Sequence, residues 1–154
     1  MLTYRKATVS DAGELARLRS IFLAEVDNIQ SEHERSLLEK ANLAYFTTAL
    51  LDGSFVAWLA IDKDEIVATS GLSFSLVPPS VKNIDGKVAY IMNMYTSPNY
   101  RRQGIAAGLF SRIVEEAKLL GYRKLTLNAT DSGRPLYEKY GFKTYHGDMV
   151  FYVK

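Results

Sequence analysis

One segment joins residue types and spacing that suit phosphate chemistry. An apolar run, Lys87–Thr96 (KVAYIMNMYT), passes through Ser97–Gln103 into a helical pattern that opens Gly104-Ile105-Ala106-Ala107-Gly108. The first turn of a helix leaves backbone N–H groups unpaired, and its aligned peptide dipoles place partial positive charge there. Such an end binds anions. Gly104 has no side chain to hold a diphosphate away from the backbone, and Ala106 and Ala107 are small. Arg101 and Arg102 add cationic donors at the rim. The dinucleotide fingerprint G-x-G-x-x-G and the triphosphate loop G-x-x-x-x-G-K-S/T do not occur in the chain. Their absence argues against dehydrogenase, kinase and GTPase chemistry.

The run Arg101-Arg102-Gln103-Gly104-Ile105-Ala106 resembles the pyrophosphate motif Gln/Arg-x-x-Gly-x-Gly/Ala of the GCN5-related N-acetyltransferase (GNAT) family. Downstream, Gly133-Arg134-Pro135-Leu136-Tyr137-Glu138-Lys139-Tyr140-Gly141-Phe142 is similar to that family's second motif. The two stand at the family's spacing, on either side of a helix and a strand. The resemblance implies acetyl-coenzyme A as cofactor, with coenzyme A as product. Backbone N–H groups of Arg102, Gln103, Gly104, Ile105, Ala106 and Ala107 would hold its pyrophosphate. Met94, Tyr95 and Thr96 would pair with the pantetheine arm as with an added strand. Asn128 would lie near the cofactor where the next strand diverges, and Tyr137 near the thioester sulfur.

An amine attacking a thioester develops an oxyanion and expels a thiolate. Backbone donors on the splayed strand suit the first, and Tyr137 could protonate the second. The chain has no cysteine, so an acyl-cysteine intermediate is excluded and direct transfer in a ternary complex is expected. The base is unassigned. The strand Lys87–Thr96 offers Tyr90 and Asn93 but no carboxylate, Asp85 precedes it, and Glu25 and Glu32 lie in the N-terminal helical region. Glu25 and Asn93 are the acceptor-side candidates. The acidic residues Glu25, Asp27, Glu32 and Glu34 could draw a cationic amine, although such a segment also reads as a solvated face. The alternatives are a non-catalytic acyl-CoA sensor or regulatory module, and a nucleotide-binding regulatory domain using the same anion loop.

Several elements must position these groups. Leu2–Lys6 alternates as a strand, and Ser10 or Asp11 could cap a helix bearing Leu15, Leu18, Phe22 and Val26. Helical spacing continues from Ser31 to Leu51 and stops at Asp52-Gly53. Ser54–Ile61 and Glu65–Leu76 read as a hairpin turning at Asp62-Lys63-Asp64. Gly104–Leu120 is an amphipathic helix closed by Gly121, Arg123–Asn128 a strand, and Ser132–Tyr140 a short helix. Phe142–Tyr145 and Met149–Val153 read as a terminal hairpin turning at His146-Gly147-Asp148. The order predicts one α+β (mixed α/β) domain over residues 1–154. Its expected form is a GNAT-like three-layer fold. One mostly antiparallel mixed sheet of about seven strands would be flanked by four helices and splayed between the fourth and fifth strands, Lys87–Thr96 and Arg123–Asn128.

Composition sets the remaining bounds. A chain of 154 residues with 47% hydrophobic and 23% charged content can bury a core of its own. A net charge of +2 is too small to suggest a nucleic-acid partner. The two histidines, His33 and His146, show no metal-ligand spacing, so no metal is expected. MLTYRKATVSD lacks an apolar leader core, and the apolar runs fall short of a membrane span. The expectation is a cytoplasmic protein, monomeric or homodimeric, acting on a small-molecule or peptide amine.

Overall fold

Lys63 and Asp64 both take left-handed backbone conformations, φ 50° and 66°. Positive φ at both central residues is what a two-residue hairpin turn with the right twist requires. In this computed structural model, which describes residues 1–145 and 147–154, that turn joins β3 (Trp58–Asp62) to β4 (Glu65–Leu76). The other strands are β1 (Thr3–Lys6), β2 (Phe55–Val56), β5 (Lys87–Thr96) and β6 (Lys124–Leu127). The helices are α1 (Ala12–Val26), α2 (Glu32–Asp52), α3 (Ile105–Leu119) and α4 (Arg134–Tyr140).

The six strands form one sheet in the order β1-β3-β4-β5-β6, with β2 also pairing β4. Every pair is antiparallel except β5 with β6. A parallel pair needs a crossover, and α3 supplies it. One sheet face packs on α1 and α2 through Leu15, Ala16, Phe46, Ala49, Phe55 and Leu59. The other packs on α3 and α4 through Leu72, Ile91, Phe110, Ile113 and Tyr137. The expected three layers, mixed sheet and four helices are therefore present. Among the described residues no helix is long and apolar enough to cross a membrane.

Three expectations are corrected. Ser54–Ile61 is not one strand: it breaks at Ala57, whose carbonyl accepts the Ala7 N–H at 2.9 Å. The chain changes partners there, β2 pairing only β4 while β3 lies between β1 and β4. Asp11 stands at the N-cap position of α1, as read, but its side chain makes no cap bond to that helix. A 3₁₀ turn, Val9–Asp11, precedes α1, and the Asp11 carboxylate accepts from the Thr8 N–H (2.8 Å) and both Arg5 Nη atoms (2.8 and 2.9 Å). Finally, the described parts of the terminal hairpin, Phe142–Tyr145 and Met149–Val153, are not strands. Phe142 packs on the core, edge-on to Phe110 at 5.5 Å, and no ladder pairing to the sheet follows it among the described residues. Without a ladder partner, β-prone sequence does not become a strand. The turn placed at His146 lies outside the described residues.

The centre of the sheet is tightly packed. A Cβ added at Gly71 would stand 2.3 Å from the Phe55 ring. Gly71→Ala is expected to cost about 1–3 kcal/mol by overpacking, read as an earlier urea midpoint with unchanged slope. An unshifted midpoint would mean that Phe55 can yield.

Candidate active site

The sheet opens between β5 and β6. Their pairing runs from Val88↔Lys124 to Ile91↔Leu127 and stops. Strand β5 continues to Thr96, whereas the chain after Leu127 leaves the sheet at the exposed Asn128. Among the described residues, the edge of β5 from Met92 to Thr96 on that side therefore has no strand partner. Such an edge can accept an extended chain through backbone hydrogen bonds.

On its other side the same stretch carries a bulge. Thr69 pairs with Tyr95 and Gly71 with Met92, so Ser70 alone stands opposite Asn93 and Met94. Asn93 takes the left-handed conformation, φ 56°, and its carbonyl accepts from Thr69 Oγ1 at 2.8 Å. The extra residue reverses the strand's alternation. Met92 packs toward α1 and α2, and Met94 toward α3. Asn93 is 2% exposed, yet neither Oδ1 nor Nδ2 has a hydrogen-bond partner among the described residues. A buried amide left unpaired costs about 1–3 kcal/mol. Such a cost marks a group that a ligand or water can satisfy.

The loop after β5 delivers a row of amides. Arg102 and Gly104 have φ 61° and 80°, and the first helical bond of α3 runs from the Gly108 N–H to the Gly104 carbonyl at 3.1 Å. The backbone N–H groups of Arg102, Gln103, Gly104, Ile105, Ala106 and Ala107 donate to no described backbone group. Successive free amides bent through a left-handed residue form an anion-binding concavity. Nothing lies within 4 Å of where a Gly104 Cβ would stand, so its open side faces outward.

The side chains around this loop divide. Arg101 turns toward the strand end and α1: Nε donates to the Thr96 carbonyl (2.8 Å), Nη2 meets Glu25 Oε2 (3.2 Å), and the guanidinium lies over the Tyr95 ring at 5.7 Å. Gln103 Nε2 donates to the Asn99 carbonyl at 3.1 Å. Arg102 is exposed and makes no described ion pair.

Tyr137 rests against Phe110, ring centroids 5.1 Å apart, and is 8% exposed. Its hydroxyl would lie 3.0 Å from a Cβ at Gly133, so glycine there makes room for it. Burial pushes the phenol pKa above its ordinary value, which keeps the hydroxyl protonated.

The anticipated residues are thus brought together unevenly. Met94–Thr96 and Asn93 share the open end of β5, and the amide row follows directly in the chain. Glu25 joins them only through Arg101, and their ion pair is exposed on both sides. Asp85 is spent on the Lys87 N–H within its loop. A wide groove lined by Tyr122, Leu125 and Phe142 lies at the far end of α3 from Gly104. Sequence reading also passed over Arg19, which sits on the buried face of α1.

The model of the acetyltransferase (GNAT) family matches residues 15–142. The chain belongs to that family. A predicted acetyltransferase from Clostridium acetobutylicum, solved with acetyl-CoA, superposes with a TM-score of 0.90 at 35% identity. The match covers 99% of this chain and 96% of that one. A GCN5-related N-acetyltransferase from Ralstonia eutropha superposes with a TM-score of 0.88 at 24% identity, over 99% of both chains, and attests the fold. The uncharacterized N-acetyltransferase YsnE of Bacillus subtilis is 31% identical over 91 residues, 56% of this chain and 54% of that protein. YafP of Escherichia coli, also an uncharacterized N-acetyltransferase, is 25% identical over 92 residues, 57% of this chain and 58% of that protein. The chain spans little more than half the length of these curated relatives.

Proposed function

We propose that this GNAT-family chain is an acetyl-coenzyme A-dependent N-acetyltransferase that acetylates a primary amine of a small molecule or peptide directly, in a ternary complex. The observation that carries the reading is the open edge Met92–Thr96 leading straight into the free amides of Arg102–Ala107. An extended pantetheine arm and a diphosphate need these two features, in that order. Met94, Tyr95 and Thr96 would take the arm, and Gln103, Gly104, Ile105 and Ala106 would lie under the phosphates, with Arg102 above. Asn128 would form the opposite wall. Arg101 holds the end of α1 against β5, which shapes the opening rather than leaving a free cation.

When bound, acetyl-coenzyme A supplies an activated acetyl group: a bond forms from the amine nitrogen to the carbonyl carbon, the C–S bond breaks, and the amine's proton is balanced by coenzyme A leaving as a thiol. Tyr137 holds a proton beside the departing sulfur. Asn93 offers its unpaired amide at the bulge, where the acceptor and the acetyl group meet.

Titration of the protein with acetyl-CoA, with ATP and NAD as controls, tests the cofactor. An amine panel at saturating acetyl-CoA tests transfer. Preference for ATP or NAD sinks the reading, and cofactor binding without any transfer would favour a sensor. Asn93→Gly separates function from folding. Relief of a left-handed residue and of a stranded amide offsets lost packing, so stability is expected within about 1 kcal/mol of the parent. Its kcat/KM for the amine should fall about 10-fold or more, the loss of one charge-stabilising contact. Unchanged turnover would remove Asn93 from the site.

A further inference from the structure

Arg19 occupies the sheet-facing side of α1. It lies one turn beyond the fully buried Leu15 and one turn before Phe22, which packs on Tyr95 at 5.8 Å. Positions at this spacing share a helix face, so Arg19 stands where the pattern would place an apolar residue. It is partly buried, and burial pulls its pKa below the ordinary arginine value, though it stays a cation at neutral pH. Among the described residues it makes no ion pair and no side-chain hydrogen bond. Arg5, Arg17, Arg101 and Arg134, by contrast, each meet a carboxylate.

The ionisable groups that face Arg19 are Tyr45 of α2, Tyr90 of β5 and Asp27 beyond the end of α1. Asp27 is exposed, and neither tyrosine hydroxyl has a described hydrogen bond. Tyr90 and Met92 lie on the same face of β5, the one covered by α1 and α2, and Asn93 follows. Arg19 on the sheet-facing side of α1 and Tyr90 on the face of β5 covered by α1 and α2 therefore border the same layer, beside the bulge and away from α3, with Tyr45 on α2 near them; both tyrosines stay open to solvent, 36% exposed for Tyr90 and 43% for Tyr45. A cation partly withdrawn from water without a counter-ion is unfavourable, and a bidentate oxyanion is the partner that guanidinium geometry fits best.

We propose that Arg19, flanked by Tyr45 and Tyr90, anchors a carboxylate or phosphate on the acceptor, so that the amine acetylated here belongs to a molecule that also carries an oxyanion. The inference rests on the acetyltransferase reading above and gives the acceptor's class. Three residues of extended strand cover roughly 10 Å, so Tyr90 lies about that far from Asn93. The length of the arginine side chain closes part of the gap between anchor and reacting amine.

Equilibrium binding to the intact protein tests the anchor without requiring turnover. The probes are N-acetyl amino acids with aliphatic and aromatic side chains, an N-acetyl aminoalkyl phosphate, and the same amides lacking the anion. Anionic probes should bind about 10- to 100-fold more tightly than their neutral counterparts. Arg19→Met should abolish that difference, and Arg19→Lys should keep part of it. The carboxylate and phosphate arms show which oxyanion is preferred. Equal binding of charged and neutral probes, or a preference that survives in Arg19→Met, overturns the proposal. Titration of the same proteins with acetyl-CoA separates the two readings. Retained cofactor affinity without anion preference sinks only the anchor, whereas lost cofactor binding in the parent protein sinks the acetyltransferase reading.

Discussion

Gly104→Glu is expected to raise the Kd for acetyl-CoA by about 100-fold or more while leaving a folded protein. Two effects act on the ligand. A side chain on the open side of Gly104 stands where the diphosphate would approach the amides of Arg102–Ala107. Its carboxylate also repels that diphosphate at the positive end of α3. Hundredfold weakening corresponds to about 2.7 kcal/mol, which repulsion at contact distance and lost amide bonds together readily supply. The cost to folding is separate and smaller. Nothing lies within 4 Å of the new Cβ, so the only charge is a non-glycine residue at φ 80°, about 1–2 kcal/mol. Calorimetric titration beside thermal unfolding measures both. A variant that binds acetyl-CoA as the parent does would move the cofactor elsewhere. Gly104→Ala carries the same backbone strain without the charge, and should retain much more affinity.

Much of the architecture was legible because local and global preferences agree. Ser31 caps α2 by accepting from the Glu34 N–H, and Gly53 closes that helix at φ 80°. The bounds Glu65–Leu76 and Lys87–Thr96 fall where turn residues stop apolar runs. What was not legible depended on partners distant in sequence. The continuous apolar run breaks at Ala57, where Ala7, just past β1, claims its carbonyl. Met149–Val153 has strand composition, but composition does not provide an edge to pair with, and these residues are exposed.

The site shows the same division. The anion loop and Tyr137 are written in short motifs, so their positions follow from local chain direction. The bulge at Asn93 is not. Its left-handed conformation follows from the one-residue mismatch with β4, which appears only when the strands are aligned. Arg101 looked like a phosphate donor from its neighbours in sequence, yet Glu25, 76 residues earlier, takes part of its charge. Arg19 carried a weak signal in the sequence: one cation within the stripe Leu15, Leu18, Phe22. Periodicity averages over such a residue, whereas three-dimensional placement shows that it has no counter-ion among the described residues.

Tyr137→Phe should lower kcat by roughly 10- to 1000-fold with little change in acetyl-CoA affinity, overlapping the lower part of the about 100- to 10,000-fold that general acid–base catalysis contributes. The ring's packing on Phe110 survives the change, so stability should stay within about 1 kcal/mol. The direction of the pKa shift refines the mechanism. Burial raises the phenol above its ordinary value near 10, whereas a free thiol ionises near 8.5. Full proton transfer from Tyr137 to the thiolate is therefore uphill, and the hydroxyl serves best as a hydrogen-bond donor to sulfur as charge develops there. The sign for pH follows. A group whose pKa is raised stays protonated through neutral and mildly basic solution, so loss of the Tyr137 proton should not cut activity below about pH 10. Activity should instead rise with pH while the acceptor amine deprotonates, in parent and variant alike. A basic decline near pH 8 to 9 that disappears in Tyr137→Phe would show the opposite, a phenol with a lowered pKa, and would require a cation near its hydroxyl.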